Sequence, residues 1–259
     1  DLVFPGNPVP PFAFAPEIPN PVVNDAVASF FVDTTPPAVV PGSVNVTPDP
    51  RSTAVGILTI DFTEPVTGFN LTDLVLTRNG NTVSLNGLTL KQVTQSRYTI
   101  DLNLKTGAPG NYVLGIQGAG SLIEDLAGNS IQMSLIVLDS WTVENIGPSA
   151  TVTVAPDPRT TAANNVQVSF TKEVSVAQVG VSDFRLERDT GSGFFVIAIS
   201  GAVVTADSPV MGFDDSFTLD LSAVGLTDVE GAYRVTLVAS NSGIIDRAGI
   251  ELTSDATDV

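Results

Sequence analysis

The residues of this chain that could do chemistry are carboxylates, hydroxyls and a few lysines. Its 259 residues include 28 Asp and Glu, and they contain neither His nor Cys. Disulfides, thiolate nucleophiles, imidazole bases and zinc held by Cys or His are therefore excluded. The nearest carboxylate pairs are Asp61 with Glu64, on an alternating strand edge, and Asp214 with Asp215, in a predicted solvated turn. Neither pair indicates a concave acid–base site, so the sequence predicts no enzyme and no organic cofactor.

Lys172 directly follows a predicted core strand and precedes Glu173. A surface ion pair with Glu173 or its neighbours is favoured over an intramolecular Lys–Asn isopeptide bond. The reason is that the sequence identifies no buried acid that would catalyse such a bond.

The elements that position these residues occur in two copies. Residues 46–54 recur as 154–162, and residues 123–128 recur as 244–249. The offset grows along the chain from 108 to 121 residues. The insertions therefore lie between the matched segments, where loops tolerate them.

Each copy reads as a series of short strands. Apolar and polar residues alternate in 57–62, 98–102, 166–170 and 233–237, and turn signals separate such runs. No stretch of ten residues has clear helical periodicity. The prediction is an all-β chain with two tandem immunoglobulin-like antiparallel β-sandwiches preceded by an extended proline-rich N-terminal arm. The predicted boundaries are 1–36 for the arm, 37–143 for the first sandwich and 144–259 for the second.

Several motifs follow one another in a characteristic order. They are Pro-Asp-Pro-Arg at 48–51, Phe-Thr-Glu-Pro-Val at 62–66, Asp-Leu-Ala-Gly-Asn at 125–129, Ser-Trp-Thr-Val at 140–143, and an Asp-Thr-Thr-Pro-Pro linker at 33–37. On these motifs, residues 29–259 resemble the bacterial Ig-like (Big-type) tandem repeats of large secreted and cell-surface proteins. The resemblance implies an extracellular structural role as a spacer, stalk or adhesive array. The second copy departs from the pattern, because Glu144 begins a different linker and Ile250 replaces the final Asn.

Acidic residues are predicted to converge at the junction between the copies. In this fold, the first loop of one sandwich lies at the pole that faces the next one. The candidates are Asp49, Glu144, Glu173 and Asp246. Carboxylate oxygens suit Ca²⁺ and need no His or Cys, so the sequence predicts either a calcium site or a set of acidic surface positions.

The two ends of the chain do not match each other. The first copy closes with Ser-Trp-Thr-Val, whereas the second stops at 255–259, where the equivalent strand should begin. The second copy is therefore predicted to lack its final strand. Residues 25–32 look like such a strand, with Val27, Phe30, Phe31 and Val32 as its apolar side chains. The adjacent Phe30 and Phe31 leave the inward face ambiguous by one residue.

Two functions compete on this basis. One is an extracellular subunit that donates its N-terminal strand to the second domain of a neighbouring copy and so forms a head-to-tail fibre. The other is a two-repeat spacer or stalk of a longer bacterial surface protein or adhesin. The net charge of −17 argues against nucleic acid and anionic membrane surfaces as partners. No apolar run approaches the ~20 residues of a membrane span, so no membrane insertion is predicted.

Overall fold

The computed structural model describes residues 31–117, 120–132 and 135–258. The chain divides into Asp1–Asp33 and Thr34–Val259. Of the first unit, only Phe31, Val32 and Asp33 are described, and they have no regular secondary structure. The predicted arm and the interface residues Val27 and Phe30 lie outside the described residues.

The second unit is built from strands and short 3-10 helices. The strands of the first copy are β1 (Ile57–Asp61), β2 (Val66–Thr67), β3 (Leu74–Arg78), β4 (Asn81–Val83), β5 (Leu90–Gln92), β6 (Arg97–Asp101), β7 (Gly110–Ile116), β8 (Glu124–Asp125) and β9 (Ile136–Val143). Those of the second copy are β10 (Ala150–Thr153), β11 (Asn165–Ser175), β12 (Phe184–Asp189), β13 (Phe194–Ile197), β14 (Val203–Ala206), β15 (Phe213–Asp220), β16 (Tyr233–Leu237) and β17 (Ala256–Asp258). The 3-10 helices are Leu71–Asp73, Val176–Gln178, Val181–Asp183 and Ala223–Gly225. Among the described residues, no helix is both long and apolar enough to cross a lipid bilayer.

The first sandwich consists of two main antiparallel sheets and a short antiparallel pair, β2-β8. One has the order β1-β6-β5, and a bridge from Val39 to Phe62 extends its edge. The other has the order β4-β3-β7-β9. Inward-facing residues alternate with outward-facing ones along β1 and β6, so that Leu58, Ile60, Tyr98 and Ile100 are buried between the sheets.

The second sandwich repeats this arrangement. Its sheets have the orders β10-β11-β15-β14 and β13-β12-β16-β17. Its own core contains Val166, Val168, Phe217 and Leu219, which are the inward-facing residues of the paired β11 and β15. The strand order of both copies is that of an Ig-like sandwich, which confirms the predicted fold class.

A tyrosine fixes the same corner in each copy. The hydroxyl of Tyr112 donates to the Ala108 carbonyl at 2.8 Å, and that of Tyr233 donates to the Val229 carbonyl at 2.6 Å. A tyrosine near the start of this strand that bonds a few residues upstream is typical of Ig-like domains. The shared bond also shows that β7 and β16 are equivalent, with Tyr112 and Tyr233 at the same position.

Candidate functional site

The end of β9 completes the core of the first sandwich. Residues 140–143 pair with 110–113 of β7, with Trp141 opposite Tyr112. The two rings stack with centroids 5.5 Å apart and an interplanar angle of 5°. Trp141 is 2% exposed and Tyr112 is 0% exposed. The last four residues of this strand therefore seal one end of the hydrophobic core.

The loop that contains Pro-Asp-Pro-Arg holds the end of β9 in place. Asp49 Oδ1 accepts a hydrogen bond from the Thr142 amide at 2.9 Å. The Arg51 amide donates to the Thr142 carbonyl at 3.0 Å, and the Glu144 amide donates to the Arg51 carbonyl at 2.8 Å. Asp49 thus satisfies a backbone N–H at the edge of a sheet, which is a structural role.

In the second copy, the described part of the equivalent strand is Ala256–Asp258. Ala256, Thr257 and Asp258 pair with Leu237, Thr236 and Val235 of β16. Asp258 corresponds to Asp139 of β9, because their carboxylates accept from the Val154 amide at 2.5 Å and the Val46 amide at 2.6 Å. The expectation that the second copy lacks its final strand needs correction, since Ala256–Asp258 supply its first residues. This strand is only three residues long, and Ala256 is the only one of the three that is buried. The alternation of apolar and polar residues therefore did not predict it.

The start of β16 has a strand partner on one side only, among the described residues. Tyr233 and Arg234 pair with Arg188 and Glu187 of β12 on one side. On the other side, no residue of the described ranges pairs with them, whereas in the first copy residues 140–143 occupy this place. Tyr233 is accordingly only half-buried, while its counterpart Tyr112 is fully buried. We call residues 231–233 the acceptor edge.

The linker between the sandwiches is tied to both of them through Glu144. Its amide donates a hydrogen bond to the Arg51 carbonyl of the first copy, and its carboxylate contacts Lys172 Nζ of the second copy at 2.5 Å. Lys172 also donates to the Ile146 carbonyl at 2.5 Å and to Asp246 Oδ2 at 3.2 Å. Burial lowers the pKa of Lys172, but hydrogen bonds to Glu144 and Asp246 outweigh it, so that the net pKa is raised.

The four predicted calcium ligands are distributed over three different interactions. Glu144 and Asp246 meet on the ammonium of Lys172. Glu173 pairs with Arg247, and Asp49 caps the end of β9. Calcium binding by these acids stays a prediction, and an ion that used Glu144 and Asp246 would compete with Lys172.

The first copy has acids at the positions equivalent to Lys172 and Asp246. They are Glu64 and Asp125, whose carboxylate oxygens lie within 4.8 Å of each other. The Asp125 carboxylate accepts from the amides of Ala127 and Asn129, both at 2.8 Å. A lysine at this position is therefore a feature that distinguishes the second copy.

The carboxylates considered for catalysis have structural contacts. Asp214 is buried in β15 rather than solvated, and it accepts from the amides of Ser208, Asp215 and Ser216. Burial raises the pKa of Asp183, which accepts from the Gly180 amide at 2.8 Å. Since Asp73 makes the same bond to Asn70 in the first copy, this is a turn cap rather than an acid–base group. No catalytic arrangement was found among the described residues.

A surface cavity formed by described residues of the first sandwich also lacks catalytic groups. It measures about 630 Å³, and its lining includes Phe69, Leu90 and Tyr98 but no carboxylate and no lysine. It therefore offers no pair of titratable side chains for acid–base work.

No family model and no curated protein matches this chain. Among solved structures, it is similar to titin domains A168–A170, with 10% identity over 86% of this chain and 64% of that chain, and a TM-score of 0.29. The tandem Ig repeats of Dlar match with 12% identity over 86% of this chain and 96% of that chain, at a TM-score of 0.20. A fragment of Escherichia coli alpha-2-macroglobulin that spans MG0-NIE-MG1 matches with 10% identity over 74% and 64%, at 0.26. This chain thus spans less than two thirds of the first titin fragment, and its Ig-like fold is assigned on strand order and register.

Proposed function

We propose that this chain is a non-enzymatic structural subunit that assembles head to tail into a fibre outside a bacterial cell. The N-terminal segment within residues 25–32 of one copy adds a strand to the acceptor edge of the next copy. One observation carries the proposal: in the first sandwich residues 140–143 cover the edge that the second sandwich leaves open among the described residues.

Addition of a strand would stabilise that edge in two ways. Unpaired backbone N–H and C=O groups gain partners, and the exposed side of Tyr233 gains an apolar neighbour. Because the donor and the acceptor are different surfaces, each copy can bind one neighbour at either end. Such heterologous contacts give an open filament unless the geometry closes it into a ring. The extracellular location rests on the resemblance to secreted bacterial repeats.

The second candidate is a stalk segment within a longer surface protein. The observation that favours it is the linker, because Glu144 bonds the Arg51 carbonyl of one sandwich and Lys172 of the other. A linker held on both sides transmits force and orientation along tandem domains. In that case a later segment of the same chain supplies the strand that covers the acceptor edge.

Deletion of residues 1–32 distinguishes a fibre subunit from a stalk segment. The full chain is expected to form concentration-dependent oligomers, and the truncated chain is expected to stay monomeric because it has no donor segment. The measurement is sedimentation velocity up to about 1 mM, a range that includes weak complexes. The cores of both sandwiches are made of residues beyond 38, so the truncation leaves them intact. A full chain that remains monomeric, or a truncated chain that still polymerises, would contradict the fibre.

A further inference from the structure

The start of each sandwich provides a fixed reference for comparing the two segments that precede them. The Thr63 amide donates to the Ala38 carbonyl at 2.8 Å, and the Thr171 amide donates to the Ser149 carbonyl at 2.9 Å. The Ala38 and Ser149 amides in turn donate to the hydroxyls of Thr63 and Thr171, both at 3.0 Å. Ala38 and Ser149 therefore occupy the same place, 111 residues apart.

The same offset aligns the residues before the two sandwiches without a gap. Pro37 matches Pro148, and the acid Asp33 matches the acid Glu144. Continuing backwards, Val32 matches Val143, and Phe30 matches Trp141. Phe31 then matches Thr142, which faces outward on β9 and contacts Asn111 through its hydroxyl at 3.1 Å.

From this alignment we infer that the acceptor edge selects Phe30, Phe31 and Val32 of a second copy, in the register that residues 141–143 adopt on β7. The inference rests on the proposed function and adds its register and specificity. Phe30 stacks on Tyr233 as Trp141 stacks on Tyr112, and Val32 points inward as Val143 does. Phe31 points outward, and in the structure of one copy it is 88% exposed.

The length of the donor follows from β17. Ala256–Asp258 pair with β16 at the positions that residues up to Asp139 hold in the first copy. Since Asp258 corresponds to Asp139, the next residue of the acceptor copy, Val259, corresponds in sequence to Ser140. The first position left for the donor is therefore that of Trp141, which Phe30 takes. Val27 matches Leu138 in the alignment, so it lies outside the inserted strand. The segment donates three residues rather than the eight of 25–32.

The loop beside the acceptor edge is shaped like the loop that holds β9. Arg51 Nε donates to the Thr53 carbonyl at 2.7 Å, and Arg159 Nε donates to the Thr161 carbonyl at 2.7 Å. In the first copy this loop binds the strand end through Asp49 and the Arg51 backbone. The equivalent Asp157 carboxylate accepts the Phe31 amide of the incoming strand.

Single substitutions in the full chain test the register. Phe30→Ala is expected to weaken self-association by at least about 30-fold, the size of an interface hot spot. Phe31→Ala and Val27→Ala are matched controls that remove exposed or uninserted apolar side chains, and each is expected to change the constant by less than about 3-fold. The measurement is sedimentation equilibrium on all four chains.

The outcomes separate this inference from the proposed function. A wild-type chain that does not associate overturns both. A wild-type chain that associates and is weakened by Phe31→Ala, but not by Phe30→Ala, keeps the fibre and overturns the register. Loss on Val27→Ala equal to that on Phe30→Ala overturns the three-residue limit.

Discussion

Replacing Trp141 with alanine is expected to destabilise the first sandwich by about 3–5 kcal/mol, the usual cost of removing a large buried aromatic side chain. The ring is 2% exposed and stacked on Tyr112, so the substitution opens a cavity at the end of the core. Its indole N–H has no acceptor among the described residues, so no buried hydrogen bond is lost with it. Chemical denaturation followed by far-ultraviolet circular dichroism measures the change.

Thr142→Ala is the matched control for Trp141→Ala. It alters the next residue of β9, whose hydroxyl contacts Asn111 on the outer face of the sheet. Loss of one exposed hydrogen bond costs about 1 kcal/mol or less. If Trp141→Ala cost no more than Thr142→Ala, the end of β9 would not be part of the core, and the comparison with the acceptor edge would fail.

Replacing Lys172 with methionine is expected to destabilise the second sandwich by about 1–3 kcal/mol, between the values for exposed and buried ion pairs. The substitution leaves the 2% exposed Asp246 and the linker residue Glu144 without the ammonium that lies between them. Lys91→Met is the control, because Lys91 is exposed on β5. Calorimetry of both variants measures the effect, and equal melting temperatures would contradict it.

The pH dependence of the Lys172 effect has a definite sign. The pKa of Lys172 is raised above its ordinary value of 10.5 in the folded protein. The stabilisation from its ammonium is therefore complete below that ordinary pKa and is lost as the pH rises through the higher folded value. The difference in stability between the wild type and Lys172→Met should be constant from neutral pH to about pH 10, and it should shrink at more alkaline pH.

The pattern of the sequence predicted the strands that are half-buried. In β1, β6 and β11, apolar residues alternate with polar ones, because one face of each sheet packs on the core and the other meets water. The sequence of β16 alternates in the same way, although its polar Thr236 is also buried. The repeat of the motifs predicted the tandem architecture for the same reason, since equivalent core positions carry similar side chains. These features are local and need no knowledge of partners distant in sequence.

Contacts between distant segments could not be predicted in this way. Lys172 was expected to pair with Glu173 or its neighbours, but its partners Glu144 and Asp246 lie 28 and 74 residues away in sequence. Asp214 was expected in a solvated turn, but it is buried in β15 and accepts hydrogen bonds from three backbone amides. The Lys172 result depends on which loops meet at one pole of a sandwich. The Asp214 result depends on the local loop conformation, because its donors lie within six residues in sequence. Periodicity carries no information about either.

A cysteine cross-link between copies directly tests whether residues 30–32 of one copy pair with the acceptor edge of another. The chain has no cysteine of its own, so an introduced pair has no competing thiol. In the first copy Thr142 lies opposite Asn111, and the alignment places Phe31 opposite Ala232 in the same way. Residues directly opposite on paired strands lie within the Cα separation of about 4.4–6.8 Å that a disulfide spans.

The chain that carries Phe31→Cys and Ala232→Cys is oxidised and run on a non-reducing gel, beside a control that carries Val27→Cys and Ala232→Cys and keeps Phe30. A ladder of covalent multimers, reversed by reductant, is expected for the first chain, and only monomer is expected for the control. A first chain that stays monomeric, that closes a disulfide within one copy, or that multimerises no more than the control would contradict this pairing.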